Sequence, residues 1–479
     1  MTHRMKALSP LLAAAFACAI AVTGCAARPA RQTLAAIKPV DAYASENSFA
    51  ATPGRWPVNA WWKAYGDPQL DALIDEGLAG APSIASAEAR LRRARAMIAV
   101  AGAANRPQIS ANGSATEQRQ SYNYLSPPAF TPPGWNDYSR ASLDLSWELD
   151  FWGKNRAGLA AATSDAEAAA ADAAQARLAL ATAIASAYAD LARNYADRDT
   201  SAAARDVRVK TADLFRRRYE NGLETLAGLR QVEARRASAE YDLLSSEEQI
   251  GLQKNRIAVL MGAGPDRGQA IARPAVDIHR VFALPERLGA DLIGRRPDIV
   301  AARLRAESAA KRVRQSEAAF YPNVNLAAFI GLQSLGLNML TDGNSMIGSA
   351  GPAISLPIFT GGRLRGQLSG ARADYGDAVA IYEHTVVQAL GDVADAAVSQ
   401  KALSAEISKA DEAVDAARAA WRSTNDRYSG ALSTYIEVLS AEDNLLSTLR
   451  VQTDLKSRSF TLDVALVRAL GGGYSTSLN

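Results

Sequence analysis

The sequence predicts a mainly α-helical protein made of two tandem units, each a pair of membrane-type β-strands followed by a long helical hairpin. Three observations predict it. The stretch Arg218 to Leu226, RYENGLETL, returns 209 residues later as Arg427 to Tyr435, RYSGALSTY. Each copy lies between two stretches that lack proline and hold few glycines, which marks the bend of a long antiparallel helical hairpin. Ahead of each hairpin the hydrophobic period changes from 3.6 to 2, the signature of strands with one apolar and one polar face.

The repeat extends beyond the turns. Pro82-Ser83-Ile84 corresponds to Pro297-Asp298-Ile299 and Arg106-Pro107 to Tyr321-Pro322, both 215 residues apart, whereas Trp152 to Arg156 corresponds to Phe359 to Arg363 at 207. The change of interval places extra residues between Pro107 and Trp152, in a loop of the first unit. A length of 479 residues therefore divides into one double unit: leader 1–24, tether 25–60, first repeat 61–264, linker 265–290, second repeat 291–473 and tail 474–479.

Composition excludes several classes of function. A net charge of +3 gives no global electrostatic case for nucleic acid. The two cysteines, Cys18 and Cys25, lie in the first 25 residues, so the rest of the chain can form neither a disulfide nor a thiolate metal site. Beyond the leader only His279 and His384 remain, with no nucleophile motif, phosphate loop or metal spacing beside either. The chain reads as a non-enzyme with no cofactor and no metal.

Residues 1 to 25 have a basic start, an apolar run from Ala7 to Val22, then Val-Thr-Gly-Cys. This resembles a bacterial lipobox, with Cys25 as the acylated first residue of the mature chain; the alternative is a secretory leader cut near Ala26 or Ala27. No later segment offers 18 uninterrupted apolar residues. Trp61-Trp62 and Asp67-Pro68 open a short amphipathic helix. A second helix follows from Ser83 to Ala104, where Arg90, Arg92, Arg93 and Arg95 form a solvated face rather than a nucleic-acid patch.

Strands are expected at 108–120, 139–150, 323–333 and 346–358. Ala141, Leu143, Leu145, Trp147 and Leu149 alternate with Ser142, Asp144, Ser146, Glu148 and Asp150, and Val324 to Leu332 and Ile354 to Ile358 alternate likewise. Half-buried hairpins on a soluble core share this pattern. Lengths near ten residues and the proline-rich loop from Tyr122 to Trp135 favour tilted strands across a membrane. Four strands cannot close a barrel, since about eight are needed, so a barrel would be shared among copies of the chain. The helical hairpins are expected at 156–261 and 363–470. The first long helix, Arg156 to Tyr219, would be on the order of 95 Å long, rich in alanine and suited to a packed wall of helices. Gly262 and Gly264 are placed to end the return helix, and Asp298 to cap the helix that opens the second repeat.

With these elements in this order, the chain resembles the TolC-like outer membrane factors, specifically the lipid-anchored branch serving multidrug efflux. The residues that carry the resemblance are the lipobox at Cys25, Trp61-Trp62 with Asp67-Pro68, RRPDI at Arg295 to Ile299 with Tyr321-Pro322, and GLETL and GALSTY at the turns. The resemblance implies a homotrimer whose twelve strands close one barrel in the outer membrane of a Gram-negative bacterium, continued by a periplasmic α-barrel. It implies a passive exit duct for drugs or other small molecules, served by a periplasmic adaptor and an RND-type inner-membrane transporter. It places Glu437 at the periplasmic aperture as a carboxylate ring, with Ser440 where many relatives have a second acid. Tyr428 matches a tyrosine that links hairpins in the closed state, but the position of its acidic partner is Gly228, so the link is expected to be absent or built differently. Gly222, Leu223, Thr225, Ala431, Leu432 and Thr434, at the two tips, are the implied adaptor contacts. Two other readings stay open: the exit channel of a protein-secretion system, and a periplasmic coiled-coil scaffold lipoprotein.

Overall fold

The computed structural model describes residues 35–39, 42–43, 49, 54–123, 127–276, 284–285, 288–430 and 432–475. Cys25, Ala431, His279, the leader and most of the tether lie outside the described residues.

In chain order the helices are α1 (Pro68–Gly80), α2 (Pro82–Ala103), α3 (Lys154–Glu220), α4 (Leu226–Met261), α5 (Pro265–Gln269), α6 (Leu288–Arg295), α7 (Pro297–Ala318), α8 (Arg363–Ser429) and α9 (Tyr435–Ala469). The strands are β1 (Gln108–Gln118), β2 (Asn136–Leu149), β3 (Asn323–Leu335) and β4 (Met346–Ser355). Helices α3 and α8, the equivalent long helices of the two repeats, each have 67 residues, about 100 Å at 1.5 Å per residue. No described helix is long and apolar enough to cross a membrane.

Contacts divide the chain into two compact units that do not coincide with the repeats. One unit takes Leu91–Ala168 and Ala302–Tyr382, and holds the sheet together with the helical segments on either side of it. The other takes Lys38–Arg90, Ala169–Ala301 and Glu383–Asn479. Each repeat contributes to both, because a helix of this length runs out of one unit and into the other.

In the strand unit the two expected hairpins join into one antiparallel sheet of order β1-β2-β3-β4, with β2 pairing β3 across the repeats. Below the sheet, Ser308 Oγ donates to the Ala161 carbonyl at 3.1 Å and Lys311 Nζ to Ser164 Oγ at 2.6 Å. Gly158 faces Gln315 so closely that a Cβ would stand 2.8 Å from its amide nitrogen. Small residues at these positions let α3 and α7 approach closely.

In the other unit the core gathers around the tryptophan pair. Trp61 and Trp62 lie in a 3-10 turn, Trp61–Tyr65, separate from α1, and are buried with Leu70, Leu73, Ile74, Ile184, Tyr188, Ile257 and Phe460. Asp67 caps α1 by accepting the Gln69 N–H at 2.9 Å. Its second oxygen accepts the Tyr188 hydroxyl at 2.7 Å and the Ala275 N–H at 2.9 Å. One carboxylate thus fixes a helix start, the long helix α3 and the connection between repeats. That connection, expected to be a plain loop, includes α5.

RRPDI works in a similar way. Helix α7 begins at Pro297, so Asp298 stands in its first turn rather than at the cap. Its carboxylate is bound by Arg296, Nη2 to Oδ2 at 2.6 Å and Nε to Oδ1 at 3.1 Å. Arg296 Nη1 reaches Asp392 Oδ2 at 2.9 Å and the Ala469 carbonyl near the end of α9 at 3.3 Å. The ion pairs hold its guanidinium charged although burial opposes it. Gly262 ends α4 in the left-handed region at φ 77°, where a Cβ would meet Pro82 at 2.5 Å.

Asp67→Ala removes a cap and two further acceptor bonds at once. It is expected to cost about 2 kcal/mol or more, read as a lower thermal-unfolding midpoint of the purified protein.

Candidate functional site

Two places carry features that a globular core does not need, one in each unit. The first is a face of the sheet. Partnered residues across antiparallel strands project to the same side. The register Ile109↔Leu145, Leu143↔Ile330, Leu149↔Val324, Leu326↔Pro352 and Val324↔Ile354 therefore collects the apolar side chains of all four strands on one face. Ile109, Leu143, Ile330, Met346 and Ile354 on that face are exposed to solvent.

The opposite face is polar. Asn112 Nδ2 and Ser142 Oγ each donate to Asp144 Oδ2 at 2.8 Å, and Arg140 stacks over the Phe329 ring at 4.9 Å. Exposed aromatic side chains mark both ends of the strands: Phe130 and Trp135 at the loop end, Phe151, Trp152, Tyr321 and Phe359 at the end where the helices attach. An apolar face between aromatic rims is what a bilayer-spanning sheet presents to lipid.

The second place is the pair of helical turns. Gly222 bends the first turn at φ 74°, and the Leu223 N–H closes it on the Arg218 carbonyl at 2.8 Å. Thr225 caps α4, its Oγ1 accepting the Gly228 N–H at 3.1 Å. In the second turn the Leu432 N–H closes on the Arg427 carbonyl at 2.8 Å, and Thr434 takes the cap position of α9 without a side-chain bond to the helix backbone. Leu223 is 66% exposed and Leu432 72%. Two residues that the sequence reading did not single out, Leu226 and Ile436, extend the same exposed apolar tip.

Tyr428 is brought to the first turn and is only 5% exposed. Its hydroxyl donates to Glu224 Oε1 at 3.0 Å, and Arg218 lies over its ring at 5.0 Å and 3.5 Å from the same carboxylate oxygen. This bond joins the two hairpins within one chain. The carboxylate that Tyr428 meets is Glu224, four residues before Gly228. Pairing the repeats by register sets Glu224 against Ser433, so no repeated acid betrayed it. Phe215 stacks on Tyr428 at 6.2 Å and meets Tyr435 at 3.9 Å. Burial and then the Glu224 bond push the Tyr428 phenol up to about 12. Since its neutral form is favoured, this stabilisation is complete below pH 10 and is lost as pH rises through 12.

Glu437 stands apart from Tyr428, exposed in the first turn of α9. Its Oε2 accepts the Ser433 hydroxyl at 2.5 Å; that bond and those to Thr434 hold its carboxyl below the usual range. This is the third position after Thr434, the spacing of a capping box, of which only the half from Glu437 back to Thr434 is formed. Ser440, one turn on, is exposed and offers no second charge.

Deeper along the same helices lies a charged cluster absent from the sequence reading. Arg208 Nε is 3.0 Å from buried Glu442, out of line for a hydrogen bond, so charge rather than hydrogen bonding holds that pair. Arg208 also pairs with Asp443, whose other oxygen takes Arg235 at 2.9 Å. Burial raises the Glu442 carboxyl more than Arg208 lowers it. Glu442 therefore favours the folded state most at pH values below the normal carboxylate range, and that contribution is lost as pH rises through its raised value.

A family model described as outer membrane efflux protein matches the chain twice, over residues 73–263 and 288–472. The chain is 38% identical over 322 residues to the fusaric acid resistance protein FusA of Burkholderia cepacia, covering 66% of this chain and 60% of that protein. It is 29% identical over 445 residues to the multidrug resistance outer membrane protein MdtP of Escherichia coli K12, covering 91% of each. Among solved structures, the outer membrane protein VceC of Vibrio cholerae is 48% identical, with a TM-score of 0.83, over 88% of this chain and 100% of that one.

Arg208→Met strands Glu442 without its counter-charge and is expected to cost about 3 kcal/mol. Glu442→Gln leaves Arg208 paired with Asp443 and should melt no lower than wild type at pH 8. Thermal unfolding of both variants at pH 5 and pH 8 checks the sign and the ranking.

Proposed function

Because the chain belongs to the outer membrane efflux protein family, we propose the state in which it acts as an exit duct: a homotrimer, lipid-anchored at Cys25, closing twelve strands into one barrel. The chain is an outer-membrane channel component of efflux, and the observation that carries the proposed assembly is the sheet register. All four strands turn their apolar residues one way, yet β1 and β4 are the edges of an open sheet. In lipid each edge needs a partner, and three copies supply the number of strands that a barrel requires.

In this reading solutes cross by diffusion and the chain performs no chemistry. Energy comes from an RND-type inner-membrane transporter, and a periplasmic adaptor seats on the apolar tips formed by Leu223, Leu226, Leu432 and Ile436, beside the Gly222, Thr225 and Thr434 of the turns. Glu437 forms a ring of three carboxylates at the periplasmic mouth, attracting cations and repelling anions. With Ser440 in place of a second acid, the mouth holds cations weakly. Tyr428 and Glu224 hold the two hairpins together beside it.

Glu437 also caps α9, so the two roles need separate tests. Glu437→Gln keeps hydrogen-bonding capacity and removes charge; in a planar bilayer it is expected to lower cation preference while the trimer's melting temperature stays near wild type. Unchanged selectivity would leave Glu437 a helix cap alone. Leu223→Asp combined with Leu432→Asp is expected to abolish drug export in a strain lacking the native channel, with outer-membrane trimer still present in normal amount.

A further inference from the structure

The two repeats hold the same acid in opposite surroundings. Paired 209 residues apart, Glu233 of α4 stands against Glu442 of α9. Glu233 is partly exposed and accepts hydrogen bonds from two arginines of its own repeat, Arg230 Nη1 at 2.7 Å and Arg216 Nη2 at 3.4 Å. The Glu442 side chain is 1% exposed and faces Arg208, itself 9% exposed, on a helix of the other repeat. Both Glu442 oxygens, Arg208 Nη1 and the buried Tyr435 hydroxyl find no hydrogen-bond partner among the described residues.

A charged carboxylate in such a place has given up water without gaining hydrogen bonds in return. Asp443 beside it adds to the cost, because it is half exposed and yet pairs with both Arg208 and Arg235. The groups that act on Glu442 are thus Arg208 from α3, Arg235 from α4 and Asp443 from α9. Tyr435, two turns back along α9, is acted on by Arg235, Glu442 and Arg208 in turn, and its ring lies 6.1 Å from that of Tyr428 at the end of α8. A proton relieves the whole arrangement, since a neutral Glu442 needs no counter-charge and leaves Arg208 to Asp443. The cluster joins both hairpins, and α9 carries Glu437 five residues nearer the turn, about 7.5 Å along the helix.

We propose that Glu442 is a proton-binding site that latches the two hairpins: with the proton bound α9 stays seated on α3 and α4, and when the proton passes to water α9 parts from them, carrying Glu437 outward and widening the mouth. This rests on the duct reading of Glu437. The sign follows from solvation. Parting the helices returns the carboxyl to water and to its ordinary range, so parting releases a proton. The latched form is fully favoured below the ordinary carboxylate range and yields as pH rises through the value that burial has raised.

The test is single-channel recording of the full-length protein in a planar bilayer from about pH 5 to pH 8, in about 1 M salt, where exposed charges are screened within about 3 Å. Wild type is expected to occupy a wider conducting state more as pH rises, by at most about tenfold per pH unit for each chain. Glu442→Gln, neutral at every pH and close in shape, should stay in the narrow state throughout. Asp443→Asn removes the acid that competes for Arg208 and should shift the response to lower pH. Glu437→Gln should keep the response, because the carboxyl it replaces is held below the usual range. A conducting wild-type trimer indifferent to pH, or a response that survives in Glu442→Gln, would overturn the proposal. So would a response lost in Glu437→Gln, which would assign it to the mouth itself. Where Glu442→Gln yields no trimer, Asp443→Asn decides, and an unshifted response there overturns the latch. A wild-type protein with neither trimer nor conductance fails the duct reading instead.

Discussion

A backbone N–H or C=O inside a bilayer has no water to bond, and leaving it unpaired costs several kcal/mol. Most of this chain's organisation is a response to that constraint. Four strands satisfy one another along three seams and leave β1 and β4 as edges. The demand passes from the chain to the assembly, because no rearrangement within four strands removes two edges. The alternation along each strand and the pairing of β2 with β3 across the repeats keep lipid-facing and lumen-facing side chains apart, and a slip of one residue would exchange them.

The helical part obeys a different constraint. A helix of 67 residues takes most of its stability from packing, so it needs neighbours along its length. Alanine and serine on the approach faces allow close contact, and fixed points interrupt the sliding that uniform small residues would permit. Asp67 with Tyr188, and Arg296 with Asp298 and Asp392, are such points. Each ties a helix start to a long helix and to a connection or helix end. The cluster of Arg208, Glu442, Asp443 and Arg235 repeats the device nearer the turns, again through ion pairs.

The architecture was legible wherever periodicity carried it. Period-2 alternation located the four strands to within a few residues at their ends, and the absence of proline located the long helices. Gly222 and Gly262 announced their turns because positive φ selects glycine. What stayed hidden depended on partners distant in sequence. Glu224 could not be identified as the partner of Tyr428, since the resemblance placed an acid at Gly228, and the packing of Phe215 against Tyr428 and Tyr435 brings the first turn to Tyr428. Asp298 looked like a cap, but Arg296 claims its carboxylate. The division into two compact units was invisible because a tandem repeat reports chain topology, not which segments touch.

The bond from Tyr428 to Glu224 has a consequence for how such a duplicated chain can change. It joins one repeat to the other through residues that are not equivalent: the second repeat has Ser433 at the place of Glu224, and the tyrosine that answers to Tyr428 in the first repeat, Tyr219, stands partly exposed. A chain assembled from two copies of the second repeat would keep every strand and every long helix and still lack this join, because Ser433 would stand in place of the acid, whereas two copies of the first would carry both a tyrosine and the glutamate. The two halves, alike in fold, are unequal at this join: only the first carries the acid, and the second depends on it.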